Sequence, residues 1–154
     1  MTTSVEALKS ALAGLPAGIR LMGLDLGTKT IGIAIGDRTR TIASPVETIA
    51  RTKFTADATR LLDLAAKNDV GLLVVGLPVN MDGSEGPRAQ SARAFVRSLA
   101  RLSPLPAVFW DERLSTAAVE RMMIEADASR ARRAAVVDKL AAAWILQAAL
   151  DSLR

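Results

Sequence analysis

The sequence predicts an α/β domain with a mixed five-stranded sheet, flanked by helices on both faces. Two observations carry this prediction. Two apolar runs joined by a short turn at 22–36 are followed by a third short run, and strands joined by short turns are antiparallel. The later apolar runs are separated by whole helices, and strands connected in this way add to a sheet in parallel through right-handed crossovers.

Hydrophobic periodicity places the individual elements. Residues 1–18 are interpreted as an appended segment with a helix at 4–14, and residues 19–154 as a single domain. The predicted elements of that domain are, in order, strands at 22–26 and 31–36, an edge strand at 42–49, a helix at 54–68, a strand at 70–76, a helix at 87–102, a strand at 107–110, and helices at 116–125 and 134–152. A polar, basic loop is predicted at 127–133, directly before the last helix.

Composition limits the kinds of site that this chain can hold. The 154 residues include no cysteine and no histidine, which excludes disulfides, thiolate or imidazole metal ligands, and Ser-His or Cys-His catalysis. An enzyme of this composition takes its acids and metal ligands mostly from its 16 Asp and Glu. No apolar run approaches the ~20 residues of a membrane span, and no secretory signal is evident, so a cytoplasmic protein without membrane contact is expected. The net charge of +4 weakly favours a polyanionic partner.

Asp25 is the first candidate site residue. It lies near the end of an otherwise apolar strand, and side-chain alternation puts it on the same face as Gly23 and Leu21. Burying a carboxylate there is costly unless it is paired or binds a metal ion. The alternative is a hydrogen-bonded Asp that braces the turn beginning at Gly27.

Two further acids are candidate partners of Asp25. Glu112 follows the predicted strand at 107–110, at the strand end where ligands gather in open α/β sheets. The triplet 111–113 can also be a helix-capping turn with a local ion pair. Asp138 lies at the margin of the apolar stripe of the last helix; the alternative is a first-turn Asp favoured by the helix dipole.

Four motifs occur in one order: GLDLG at 23–27, GLP at 76–78 with DGSEG at 82–86, DERLST at 111–116, and VDKLAA at 137–142. Together they resemble the YqgF/RuvX family, described both as pre-16S rRNA nucleases and as Holliday junction resolvases. The resemblance covers residues 19–152. It implies an RNase H-like fold and three catalytic, metal-binding acids, which are Asp25, Glu112 and Asp138.

The chemistry of these residue types agrees with that implication. Phosphodiester hydrolysis can be driven by paired divalent ions, and carboxylates hold such hard ions without histidine. On this chemistry Mg²⁺ is the expected ion, with Mn²⁺ as a substitute. The resemblance implies processing of the 5′ end of a 16S rRNA precursor in ribosome biogenesis. Three alternatives stay open: a resolvase of branched, four-way DNA, a non-catalytic RNA-binding assembly factor, and an actin-like ATPase, for which the chain is short. A monomer or weak homodimer is expected.

Basic residues around these acids are the candidate nucleic-acid contacts, because Lys and Arg bind phosphates without reading sequence. The predicted contacts are Lys29, Arg88, Arg93, Arg113, Arg130, Arg132 and Arg133. For Arg93 the alternative is a solvated helix face, shared with Arg97 and Arg101. The loop at 76–86, with Gly76, Pro78, Asp82 and Gly83, is predicted to lie near the site, or else is a tight strand-to-helix connection. Aromatic residues are 3% of the chain, which disfavours base stacking as the main binding mode.

Overall fold

The computed structural model of the chain describes residues 3–114 and 130–154. For residues 130–138 it describes the backbone, and from residue 139 onward it also describes the side chains. The elements are α1 (Ser4–Ala13), β1 (Arg20–Leu26), β2 (Thr30–Gly36), β3 (Ala43–Ala50), α2 (Phe54–Lys67), β4 (Val70–Leu77), α3 (Pro87–Ala100), β5 (Ala107–Asp111), a 3-10 turn (Glu112–Leu114) and α4 (Arg130–Asp151). The helix predicted at 116–125 lies outside the described residues. No helix among those described is both long and apolar enough to span a membrane.

The five strands form one sheet in the order β3-β2-β1-β4-β5. β1 pairs antiparallel with β2, and β2 with β3, whereas β4 lies parallel to both β1 and β5. The predicted mixed sheet is therefore confirmed. Pro45 lies in the edge strand β3, where the β2–β3 register shifts, and an edge is where a residue without an N–H is tolerated.

Helices cover both faces of the sheet, as predicted. One buried cluster joins the sheet to α2 and α3, and the other joins it to α1 and α4. Alternation along β1 separates the two clusters, because Met22, Leu24 and Leu26 belong to the first and Leu21 to the second. Asp25 is therefore on the face that α4 covers.

Helix α4 lies directly on the backbone of the sheet. A Cβ added to Gly23 would lie 2.8 Å from the carbonyl oxygen of Ala142, and one added to Gly36 would lie 3.5 Å from Leu150 Cδ1 and 3.7 Å from the Leu21 carbonyl oxygen. The helix thus runs from the carboxyl end of β1 towards its beginning. Residues of α4 that precede Ala142 lie towards the end of β1 that carries Asp25.

The last helix begins earlier than predicted. α4 starts at Arg130, whereas the sequence pattern predicts a loop at 127–133. Arg130, Arg132 and Arg133 therefore lie in the first turn of α4, and their assignment to a loop was wrong. The physical reason is that Ala and Arg are strong helix formers and no Gly or Pro occurs between 127 and 151.

Candidate active site

Asp25 is a buried carboxylate at the end of the central strand. Its residue is 4% exposed, and it lies opposite Gly32 of β2. Asp57 is equally buried; it accepts the backbone N–H of Thr52 at 3.2 Å and so supports the start of α2. The turn after Asp25 is closed by the backbone N–H of Gly27, which donates to the Thr30 carbonyl at 2.9 Å.

Glu112 is in the 3-10 turn that follows β5, and its side chain returns over the sheet. A Cβ added to Gly76 of β4 would lie 3.0 Å from Glu112 Oε1 and 3.4 Å from Glu112 Cγ. The same atom would lie 2.6 Å from Ile145 Cδ1 of α4. The Glu112 carboxylate therefore occupies space at the end of β4 that is open only because residue 76 has no side chain.

The carboxylates of Asp25 and Glu112 lie on the same face of the sheet, Asp25 at the end of β1 and Glu112 over the end of the neighbouring strand β4. The last printed pair of the parallel β1–β4 register is Leu24 with Val75, so the next positions on the two strands are Asp25 and Gly76. Adjacent strands are about 4.8 Å apart. Both carboxylates are thus beneath α4, at the carboxyl ends of the parallel strands, which is where ligands bind in open α/β sheets.

Asp138, the third predicted acid, has its side chain outside the described part of the chain. Its backbone is in α4, about two turns after the helix begins at Arg130. The effect of a helix dipole is confined to the first turn, so the interpretation of Asp138 as a first-turn residue was wrong. Among the side chains that the structure describes, no group of three Asp or Glu able to hold a metal ion is found.

The residues flanking Glu112 form the local ion pair considered as an alternative for this triplet. The guanidinium of Arg113 donates to Asp111 Oδ2 at 2.6 Å, and the Arg113 backbone N–H donates to Asp111 Oδ1 at 2.9 Å. This pairing lowers the pKa of Asp111. Arg113 Nη1 also donates to the carbonyl of Met81 at 3.4 Å, so Arg113 ties the loop after β4 to the turn that carries Glu112.

The loop after β4 is closed by its own side chains. Asp82 accepts the backbone N–H of Ser84 at 2.9 Å and its hydroxyl at 2.6 Å, and these bonds lower the pKa of Asp82. Gly83 has φ +90°, a conformation that favours glycine. Asp82 and Gly83 therefore shape the loop, which stands beside Glu112 because Arg113 holds it there. Pro78 starts this loop and Gly76 underlies Glu112 directly.

The predicted nucleic-acid contacts other than Arg113, which pairs with Asp111, fall into three groups. Arg93 is half-buried, forms a two-bond ion pair with Glu85 at 2.6 and 2.7 Å, and lies 4.7 Å from the ring centroid of Phe109. Its charge is thus compensated within the protein. Lys29 and Arg88 are exposed. The side chains of Arg130, Arg132 and Arg133 lie outside the described residues, so their contacts stay predictions.

A groove of about 410 Å³ lies between the start of α1, β5 and the loop after β4. Leu77, Val79 and Phe109 give it apolar walls, and Arg93 and Arg113 line it with their carboxylate partners. Neither Asp25 nor Glu112 lines this groove. It is therefore separate from the pair of acids beneath α4.

One contact at the site was missed by the sequence analysis. Arg51, the residue after β3, donates from Nη1 to the carbonyl oxygen of Gly27 at 2.6 Å. No local pattern signals it, because the two residues lie in different strand pairs and an isolated Arg after an edge strand looks like a solvated surface residue.

Comparison with known proteins finds one matching family and relatives that share one name. The family described as "RuvX: Holliday junction resolvase" matches residues 19–152. A protein of Roseobacter denitrificans named "Putative pre-16S rRNA nuclease" is 60% identical over 152 residues, covering 97% of this chain and 93% of the relative. A protein of Cereibacter sphaeroides with the same name is 59% identical, covering 96% of this chain and 92% of the relative.

Solved structures resemble the chain in fold. The structure of Thermus thermophilus RuvC in complex with a Holliday junction substrate has a TM-score of 0.53 at 14% identity, covering 82% of this chain and 91% of RuvC. RuvC from the same organism in a second structure has a TM-score of 0.51, also at 14% identity, and covers 82% of this chain and 92% of RuvC. At this level of identity the likeness establishes the RNase H-like architecture alone.

Proposed function

The chain belongs to the RuvX family, described as Holliday junction resolvases, and from this membership we propose that it is a nuclease that hydrolyses phosphodiester bonds of structured RNA with Mg²⁺. The observation that carries the proposal is the convergence of Asp25 and Glu112 on one face of the sheet, at neighbouring strand ends. A carboxylate as buried as Asp25 is costly unless it is paired, hydrogen-bonded or bound to a metal ion. The third acid in the proposal is Asp138.

The course of α4 supports the inclusion of Asp138. Ala142 lies over Gly23 of β1, and helical periodicity puts residue 138 one turn before Ala142. Since α4 runs from the carboxyl end of β1 towards its beginning, that turn lies towards Asp25. The same spacing puts residue 138 on the stripe that includes Ile145, which packs against Gly76.

The residues fit a hard divalent ion. The donors are carboxylate oxygens, which Mg²⁺ prefers, and the chain has no cysteine or histidine that would favour softer metals. When bound, such ions polarise a phosphate oxygen and lower the pKa of the attacking water. Asp25 would lie at the centre of the site, Glu112 would reach it from the end of β5, and Asp138 would close it from α4.

RNA is the proposed substrate because of the relatives. Proteins about 60% identical over nearly their whole length are named for pre-16S rRNA, so we propose processing of that precursor's 5′ end. The second candidate is cleavage of four-way DNA junctions, which the description of the family favours. Cutting two strands symmetrically would require a dimer.

A cleavage panel distinguishes these candidates. Purified protein is incubated with a 16S rRNA precursor, single-stranded RNA and a four-way DNA junction, each with Mg²⁺, Mn²⁺ or a chelator. We expect cleavage of the precursor near its 5′ end that the chelator abolishes. Cutting of the junction with intact RNA would favour the resolvase. Binding of RNA without cleavage under every condition would leave only a non-catalytic assembly factor.

The Gly76→Ala variant tests the position of Glu112. The added methyl group would lie 2.6 Å from Ile145 Cδ1 and 3.0 Å from Glu112 Oε1, so both side chains must shift, and we expect cleavage to fall about tenfold or more. Gly71→Ala is the matched control, since its methyl group meets Ile19 Cγ1 at 2.5 Å on the same strand, far from Glu112. Both variants are expected to lose ~1–3 kcal/mol of stability from overpacking. An equal effect of the two on cleavage would contradict the role of Glu112.

A second test concerns the basic start of α4. Replacing Arg130, Arg132 and Arg133 together with alanine should weaken RNA binding about equally across sequences and flatten its salt dependence, by roughly one unit of log-log slope per lost contact on duplex. The control removes the same charge from three arginines that already pair with carboxylates, which are Arg38, Arg60 and Arg154. Binding is measured from about 50 mM to about 300 mM salt, because phosphate contacts weaken strongly over such a range. If both triple variants change the slope equally, the cluster has no specific role.

A further inference from the structure

Arg51 connects both ends of the turn that follows Asp25. Its guanidinium donates from Nη1 to the carbonyl of Gly27 at 2.6 Å, and its backbone N–H donates to the carbonyl of Lys29 at 2.8 Å. The bond to Gly27 is charge-assisted, a class roughly twice as strong as a neutral hydrogen bond. One residue thus holds the chain where β1 ends and where β2 is about to begin.

The position of the Arg51 side chain is itself set by the core. Its guanidinium carbon lies 5.5 Å from the ring centroid of Phe95 in α3. Phe95 is 6% exposed and meets Phe54 of α2 edge-on, with 5.3 Å between the ring centroids. In the part of the chain that the structure describes, no ion pair of Arg51 with a carboxylate occurs. The cation is therefore directed at a backbone carbonyl from a stacked, half-buried position.

We propose that Arg51 is a positioning residue for Asp25, an inference that rests on the proposed function. Asp25 is two residues before Gly27, so a fixed Gly27 carbonyl fixes the direction in which β1 ends. Metal ligands must lie within about 0.2 Å of their ideal distances, which a freely moving hairpin end does not provide. Packing on the face of the sheet covered by α2 and α3 thereby sets the position of the Asp25 carboxylate on the opposite face.

The test compares Arg51→Met with Arg51→Lys. Met keeps most of the apolar stem but removes the donor, whereas Lys keeps a cation that can reach one carbonyl. We expect kcat for RNA cleavage to fall about tenfold or more in Arg51→Met, with little change in KM and a higher Mg²⁺ concentration for the half-maximal rate. Arg51→Lys should recover part of the loss. Arg60→Met is the matched control, because Arg60 is also a bound arginine next to β3, paired with Glu47 at 2.5 Å.

A measurement without metal or substrate accompanies these rates. Hydrogen exchange in the metal-free protein should show faster exchange of the Gly27 amide, which donates to Thr30 at 2.9 Å, in Arg51→Met alone. Global stability measured in parallel shows whether each variant is folded. Unchanged kcat and Mg²⁺ dependence in Arg51→Met, or equal changes in Arg60→Met, would overturn the inference.

The failure of this inference and that of the proposed function give different results. An Asp25→Asn variant that cleaves like the parent would refute the proposed function, whatever Arg51 does. An inactive Asp25→Asn variant beside a fully active Arg51→Met variant would refute only the positioning role.

Discussion

We expect Asp25→Asn to abolish RNA cleavage and to leave the fold intact. The neutral amide has nearly the shape of the carboxylate, so the packing of a residue that is 4% exposed is kept. It binds divalent ions far more weakly, because it lacks the charge that compensates them. Loss of metal catalysis should lower the rate by about a thousandfold or more, equivalent to ~4 kcal/mol of transition-state stabilisation. The rate is measured at saturating Mg²⁺ with the RNA that the parent protein cleaves.

Asp57→Asn is the control for this experiment. Asp57 is as buried as Asp25. Its carboxylate accepts hydrogen bonds from Thr52, and an asparagine oxygen can still accept them. We expect full cleavage by Asp57→Asn and similar circular dichroism spectra for both variants. Cleavage by Asp25→Asn at the parent's rate would remove the central acid from the proposed site.

Asp138→Asn is expected to abolish cleavage and yet stabilise the metal-free protein. If Asp138 joins Asp25 and Glu112, the metal-free site holds three carboxylates close together, and their mutual repulsion destabilises the fold. Removing one charge relieves it. Mg²⁺ at 100 times its dissociation constant should stabilise the parent by about 2.7 kcal/mol, since it binds only the folded state, and should do so much less for the variant.

Thermal unfolding with Mg²⁺ and with a chelator measures both effects. For a chain of this size, a change of 1 kcal/mol shifts Tm by roughly 2–4 °C. Asp151→Asn is the control in the same helix, because Asp151 is exposed and binds Gln147 and Arg154 at the far end of α4. An Mg²⁺-induced shift in Asp138→Asn equal to that of the parent, with cleavage preserved, would place Asp138 outside the site.

The strand arrangement could be predicted because each connection has a length that decides it. The turn at 27–29 is too short for anything but an antiparallel pair, and α2 and α3 are whole helices that bring the next strand back in parallel. The face of Asp25 followed from alternation along β1 alone. Connection length and side-chain alternation are properties of the local sequence, so they could be read without knowledge of the tertiary structure.

Contacts between distant segments could not be predicted in this way. The pairing of Arg93 with Glu85 turns a residue that looked like part of a basic stripe into an internal contact. The position of the Glu112 carboxylate depends on the missing side chain of Gly76, which is on another strand. The start of α4 was misplaced because arginines were taken as a sign of a loop, although their helix propensity is high.

The close approach at Gly23 limits the separation between α4 and β1 by the absence of a side chain at that position. The Ala142 carbonyl oxygen and Leu146 Cβ both lie where a side chain at position 23 would be, so at this point the helix rests against a residue without a side chain. Leu, Ile, Met and Val can be exchanged in the cluster that joins the sheet to α2 and α3, since cores tolerate volume-conserving exchange, without touching the contact that holds α4 above the strand carrying Asp25. Position 23 has no such freedom, because any side chain there would lift the helix away from β1. The sequence of this core can therefore change while the spacing between the acids on the strand and those on the helix stays constant.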